Sequence, residues 1–390
     1  MEEKIKIKPP ANSLLFKIYD AAGMQRWNDQ IRAIEMTELD KQAHKMITAY
    51  VMGKIQQEQQ GEKLNWIDII EYGLFEFLQR IILTDLKPPL FYEIMQDREK
   101  YNKLNQWVFD KIYPDIESLG SSFCKNFSKY ITGGADFDGN YTDVSRAILG
   151  AAHFYVTKWE FKLIEKFNPG GYQVEEIRKN IDSQQEKYCS LPGVKKFLES
   201  QELMAFIDIC GQLRFQLRWS HLYRVPKTSV LGHMLVVAVF SYLFSYVLGF
   251  DSERMINNYF TGLFHDLPEV LTRDIINPVK KSVEGLDELI KDYEKSEMEK
   301  KIYKLLPVKW HNDIRMFTES EFEDIKARDG KLVKAADDLA AFIEAYLSIK
   351  NGIKNDNLLG AMENLRRKYK DVQICGLDFN TIYKGFPKAF

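Results

Sequence analysis

Apolar residues along this chain recur every three and four positions, not every two. Leu14-Leu15-Ile18, Ile67-Ile70-Leu74-Phe77-Leu78-Ile81 and Leu332-Val333-Ala336-Leu339-Phe342-Ile343 each draw one apolar stripe down a helix. No stretch alternates apolar and polar positions between hairpin turns, so the pattern predicts an all-α fold. The richest apolar run, Met234 to Phe250, is interrupted by Ser241, Tyr242, Ser245 and Tyr246. It reads as a buried helix, with no membrane span expected. Strong breakers at Phe167-Asn-Pro-Gly-Gly171 end a long helix begun near Asp143, and Leu191-Pro-Gly-Val194 suits a restart after the polar segment Glu175 to Lys187. A boundary is therefore expected near residue 195, giving domains 1–195 and 196–390. Alternating charges over Asp287 to Lys301 suit a solvated helix face. Gly133 to Gly139 suits a surface turn, because it lacks the closing Glu of a calcium loop.

The pattern also repeats. Arg26-Trp27 with Arg32 matches Arg218-Trp219 with Arg224. His44 stands 32 residues before Glu76 of Gly73-Leu-Phe-Glu-Phe, and His233 stands 32 before His265 of Gly262-Leu-Phe-His-Asp. Asp85 and Pro89 match Asp274 and Pro278, and Ala-Ala-His153 with Glu160 matches Ala-Ala-Asp337 with Glu344. Agreements in one order point to tandem duplication. The first copy reads as degenerate, since Phe77 cannot ligate a metal, although His44, Glu76 and His153 leave a thin three-ligand alternative.

Composition narrows the class. With 45% hydrophobic and 28% charged residues, 390 positions suffice for sizeable cores in a globular protein. A net charge of −2 gives no electrostatic case for a stable nucleic-acid partner, while leaving room for a local cationic pocket that takes a small phosphate. Cys124, Cys189, Cys210 and Cys375 are scattered without a CxxC, as expected of reduced thiols in a cytoplasmic protein. The first residues lack the apolar stretch of a signal peptide.

Chemistry concentrates late in the chain. His233, the His265-Asp266 pair and Asp337 offer two imidazoles and two carboxylates, a ligand set for one divalent ion, with Co, Mn, Fe, Zn or Mg left open. Among six histidines and 56 acids a lone His-Asp pair means little; the whole set carries the expectation. Arg218 presents a planar fork suited to phosphate, and Trp219 an apolar face suited to sugar or base. Arg224 and Lys280 are weaker cationic candidates.

These residues resemble the HD-domain metal-dependent phosphohydrolases, whose ligands run H…HD…D on separate helices. The finer likeness is to the YfbR-like 5'-deoxynucleotidase branch. It rests on Arg218-Trp219 before the first His, Glu269 and Asp274 after the pair, and Pro278-Val279-Lys280, over roughly Phe206 to Tyr346. The resemblance implies tandem HD-type helical bundles related by a pseudo-twofold, the first degenerate and the second intact. It implies metal ligation by His233, His265, Asp266 and Asp337, and catalytic roles for Glu269 and Asp274. Substrate contacts fall to Arg218 and Trp219. The chain departs at Gly232 and Met234, where the family has Glu and Ser, and at Asn277, which takes the place of a Thr as a hydrogen-bond donor.

The expected activity is release of phosphate from a small phosphomonoester, a (deoxy)nucleoside 5'-monophosphate first. The alternatives are a nucleotide-sensing protein without turnover, or hydrolysis of nucleoside triphosphates or cyclic dinucleotides. Relatives of half this length pair as homodimers, which implies that the two copies here form an intramolecular pseudo-dimer.

Overall fold

In the computed structural model, residues 7–61, 63–84, 86–133, 143–275, 277–280 and 282–387 are described; the side chains of residues 88, 92, 277 and 278 are not. The helices run α1 Asn12–Gly23, α2 Glu38–Gln60, α3 Trp66–Leu83, α4 Pro88–Gln96, α5 Arg98–Ile116, α6 Ser121–Thr132 and α7 Val144–Phe167. Then come α8 Val174–Glu186, α9 Pro192–Glu199, α10 Gln201–Gln212, α11 Val230–Val247, α12 Ser252–Phe264, α13 Glu269–Thr272 and α14 Asn277–Lys280. The chain closes with α15 Leu286–Glu297, α16 His311–Thr318, α17 Gly330–Lys350, α18 Asp356–Lys368 and α19 Phe379–Lys384. Among the described residues the strands are two, Gln373–Ile374 and Leu377–Asp378, paired antiparallel. The expected all-α class holds. The loop of residues 134–142 and Asp85 lie outside the described residues.

Short polar side chains start the helices where the sequence supplies them. Thr37, Asn65, Asp143, Ser229 and Asp251 each accept a hydrogen bond from a first-turn N–H, which satisfies groups the helix itself cannot. The long helix from Val144 and the restart at Pro192 fall where the breakers put them.

Two helices form the centre. α2 and α11 are buried along nearly their whole length and pack against each other; α2 also takes α7 and α9, and α11 takes α12 and α17. α11 is long and apolar enough to cross a bilayer, but 89% of it is buried inside the protein, so it is a core helix here. One continuous apolar cluster runs from Leu14 to Phe386 through both halves of the chain.

The ends of the halves cross over. On α1, Phe16 packs against Tyr346 and Phe386, and the Tyr19 hydroxyl donates to the carbonyl of Ala340 at 2.8 Å. In return α9 and α10 lie on the first half: Phe197 meets Tyr155, and Gly193 N–H donates to Gln56 Oε1 at 2.6 Å. Position 195 falls inside α9, a helix built onto α2.

Candidate metal centre

His233 sits one turn into α11. Ser229 caps that helix by accepting from Gly232 N–H at 2.9 Å, and its hydroxyl donates to Asp40 of α2 at 2.5 Å. A Cβ at residue 232 would come within 2.9 Å of Asp40 Oδ1 and 3.0 Å of Leu39. The departure from the family pattern beside the first ligand therefore has a local cause, the close passage of α2.

His265 and Asp266 stand where α12 unwinds. Proline lacks an N–H and its ring collides with the carbonyl four residues earlier, so Pro268 ends the helix at Phe264. Tight turns follow, with Leu267 N–H donating to Phe264 O at 2.9 Å and Glu269 N–H to Asp266 O at 3.0 Å. Glu269 then opens α13, so the pair and Glu269 share no continuous helix.

The four expected ligands converge. His233 Nε2 lies 2.9 Å from Asp337 Oδ1 and 3.8 Å from Asp266 Oδ2, and His265 Nε2 lies 3.2 Å from Asp266 Oδ2. His233, His265 and Asp266 can place one ligand atom each within 4.8 Å of one another. His265 Nδ1 is 2.8 Å from the Gly262 carbonyl, so Nδ1 donates there and Nε2 is the nitrogen that faces the centre. That Nε2 is buried without a hydrogen-bond partner. A cation fits this donor set better than solvent does.

The electrostatics agree. Burial opposes the charged form of Asp266, yet His265, His233 and Arg218 hold it well below the usual carboxylate range. Lys334 and the imidazoles do the same for Asp337. Burial also disfavours a charged His265, but Asp266 outweighs it and the imidazole is pushed up to about 9. Glu269 goes the other way: burial, then Asp266 and Asp274, raise it well above the ordinary value. Its Oε2 is buried without a partner.

Arg218 and Trp219 flank this cluster. Arg218 reaches Asp266 Oδ2 through a terminal guanidinium nitrogen at 3.5 Å and Glu344 Oε2 through Nε at 3.5 Å. The Trp219 indole N–H donates to Glu344 Oε2 at 2.8 Å, and Thr228 Oγ1 donates to Glu344 Oε1 at 2.6 Å. Trp219 holds a left-handed φ of 55°. Asp274 follows α13, near enough to act on both Arg218 and Glu269. Arg224 is buried and bonds Thr228 and the Pro226 carbonyl. The side chain of Asn277 lies outside the described residues.

Two participants carried no site role in the sequence. Glu344, fully buried, also lies 3.8 Å from His233 Nδ1, beyond hydrogen-bond reach of a nitrogen that is itself buried without a partner. Lys334 donates to Asp337 Oδ2 at 2.6 Å. Their positions three before and seven after Asp337 on one helix face were the available signal.

The first half contains a Trp loop of similar local geometry. Trp27 has φ 56° and donates to Glu160 at 2.9 Å, as Trp219 does to Glu344. Isolated bridges Gln25 to Thr37 and Leu217 to Ser229 bracket the two Trp loops. Tyr50 packs on Phe260, while Tyr242 bonds Glu71. Trp27 with Trp219, Thr37 with Ser229 and Tyr50 with Tyr242 share one offset, and it sets Lys41, not His44, against His233. His44 Nε2 instead meets the Ile207 carbonyl at 3.0 Å, while Lys41 Nζ is 2.6 Å from His153 Nδ1. Glu76 pairs with Lys45 and accepts from Tyr130. The thin three-ligand site of His44, Glu76 and His153 is not assembled.

Residues 210–372 match the HD domain family, a class that binds divalent metals, and the buried group His233, His265 and Asp266 could hold one. The similarity reaches further, to particular enzymes. The chain is 27% identical over 155 residues to a 5'-deoxynucleotidase of Vibrio vulnificus, covering 38% of this chain and 76% of that protein. It is 29% identical over 179 residues to one of Photobacterium profundum, covering 43% and 87%, and 24% identical over 150 residues to one of Pasteurella multocida, covering 38% and 75%. The relation is distant and confined to less than half of the chain.

Proposed function

We propose that this protein is a metal-dependent phosphohydrolase that releases phosphate from a small phosphomonoester, with a nucleoside 5'-monophosphate as the leading substrate. The observation that carries the proposal is the juxtaposition, around His233, His265, Asp266 and Asp337, of a phosphate-fitting guanidinium and a buried unpaired carboxyl. A divalent ion held by those four residues would supply Lewis acidity toward a phosphoryl oxygen. Arg218 binds and orients the phosphate, and its charge does not titrate. Trp219, fixed by Glu344, lends an apolar face to the sugar or base. Glu269 holds a proton near the reacting centre, in position to serve the departing alkoxide, and Asp274 orients the attacking water.

The two halves are proposed as tandem copies, roughly 1–195 and 196–390, packed as an intramolecular pseudo-dimer with the metal in the second. The matched Trp loops, helix caps and tyrosines support this arrangement. Metal analysis, then phosphate release across nucleoside mono-, di- and triphosphates, tests the function. One equivalent of metal, lost in Asp266→Ala, with activity confined to monophosphates is expected. A protein that binds metal but releases phosphate from none of them would overturn it.

A further inference from the structure

His233 and Arg218 both hang on one serine. Ser229 caps α11: its hydroxyl accepts from Gly232 N–H at 2.9 Å, and its carbonyl accepts from His233 N–H at 3.0 Å. It also closes the base of the Trp219 loop, where an isolated bridge pairs it with Leu217. On either side of that bridge Val230 N–H donates to Gln216 O at 2.8 Å and Arg218 N–H to Thr228 O at 3.0 Å. One residue therefore sets where the first imidazole and the guanidinium start from.

The Ser229 hydroxyl proton goes to a distant part of the chain. Its acceptor is Asp40 Oδ1 at 2.5 Å, 189 residues earlier. Asp40 Oδ2 accepts from Thr37 Oγ1 at 2.9 Å, and Thr37 caps α2 by accepting from Asp40 N–H at 3.2 Å. One carboxyl thus ties together the caps of the two central helices. It is 5% exposed, and burial raises its pKa against the pull of Arg214 and the two hydroxyls. A group so costly to bury is sustained by the bonds it makes, and here both oxygens are used. Apolar packing of α2 on α11 holds the helices together without direction. A hydrogen bond has direction: it fixes the Ser229 rotamer, and with it the first turn that carries His233.

We propose that Asp40 of α2 is a positioning residue for the metal centre. It orients Ser229, which holds His233 and the base of the Arg218 loop in register with Asp337 and the His265-Asp266 pair. The inference rests on the metal-centre reading above, but its first test needs neither metal nor turnover.

Amide hydrogen exchange on the metal-free, full-length protein reads the first link. Asp40→Ala should speed exchange about fivefold in a peptide spanning residues 229–234, the scale of a lost helix cap, and leave α5 unchanged. Equal acceleration in both would mark a general loss of stability and overturn the proposal. Cobalt(II) titration reads the second link. Affinity should fall about fivefold in Asp40→Ala and the visible absorption of the bound ion should shift. Asp40→Asn, which keeps an acceptor oxygen, should restore both. Ser229→Ala should mimic Asp40→Ala, and combining the two should weaken cobalt(II) no further, because one acts through the other. Asp40→Leu, which fills similar volume without an acceptor, gives the same reading where Asp40→Ala does not fold. Wild-type exchange, affinity and absorption in these Asp40 variants, or additive losses in the double variant, would overturn this role alone. A wild-type protein that binds no cobalt(II) would take down the metal-centre reading and this role with it.

Discussion

Glu344→Gln is the sharpest single perturbation. The carboxylate is fully buried and accepts from Trp219 at 2.8 Å and Thr228 at 2.6 Å, with Arg218 at 3.5 Å and His233 Nδ1 at 3.8 Å. Burial works against its charge, but Arg224 and Arg218 prevail and take it from 4.5 to about 2. A depression of that size is worth about 3 kcal/mol to the folded state at neutral pH. The amide removes the negative charge, leaves two arginines without their shared counter-ion, and turns one acceptor into a donor. Breaking a buried pair from one side costs about 3–5 kcal/mol, in line with the linkage figure. Urea unfolding at pH 7 should show that loss. The folded-state value is lowered, so the contribution is complete above about pH 4.5 and fades as pH falls toward 2. The wild-type and variant stabilities should therefore converge on acidification. Metal affinity should also fall, because the negative charge 3.8 Å from His233 Nδ1 is removed. Glu160→Gln is the control: it should destabilise comparably through Arg26 and Arg214 while leaving metal content intact. A Glu344→Gln protein as stable as wild type at pH 7, and unchanged in its acid profile, would refute the reasoning.

Other expectations follow from the same geometry. Glu269→Ala should lower turnover by roughly 10²-fold with metal content near normal, measured by phosphate release beside elemental analysis; full activity would remove Glu269 from the chemistry. Burial, then Arg214, depresses His44 from 6.5 to about 3, so the wild type should lose about 1.4 kcal/mol per pH unit as pH falls between those values. His44→Gln should flatten that slope in urea titrations. Residues 196–390 alone should aggregate or self-associate by light scattering, since α9, α10 and α11 lose the first half they pack on; a monodisperse, active half would contradict the pseudo-dimer.

The helices and the candidate cluster of His233, His265, Asp266 and Asp337 were legible because they rest on residue type and period. Three and four-residue apolar spacing sets the helices, and buried histidines beside carboxylates are types with few other uses in one place. The register of the first half was not. The span from the start of α2 to Gly73 is 35 residues and that from the start of α11 to Gly262 is 32, α2 itself having 23 residues against 18 in α11. That difference let His44, one turn beyond Lys41, imitate the spacing of His233. The break at Phe264 was half legible, since Pro268 announces a boundary but not which residues stay helical. Glu344 was visible as a matched position only; its bond to Trp219 joins residues 125 apart, and no local pattern signals it.

The crossing of α1 onto α17 bears on how the chain is made. Tyr19 and its partner Ala340 are 321 residues apart, so α1 leaves the ribosome long before the helix that covers it. Closing so long a loop gains nothing until both ends are present, and contacts of this separation form slowly. During that wait the aromatic side of α1, Phe16 and Tyr19, lacks its final cover and is open to wrong partners. A nascent chain stopped after α16 would have α1 seated on α2, α3, α5 and α11 but with Phe16 and Tyr19 lacking their partners on α17.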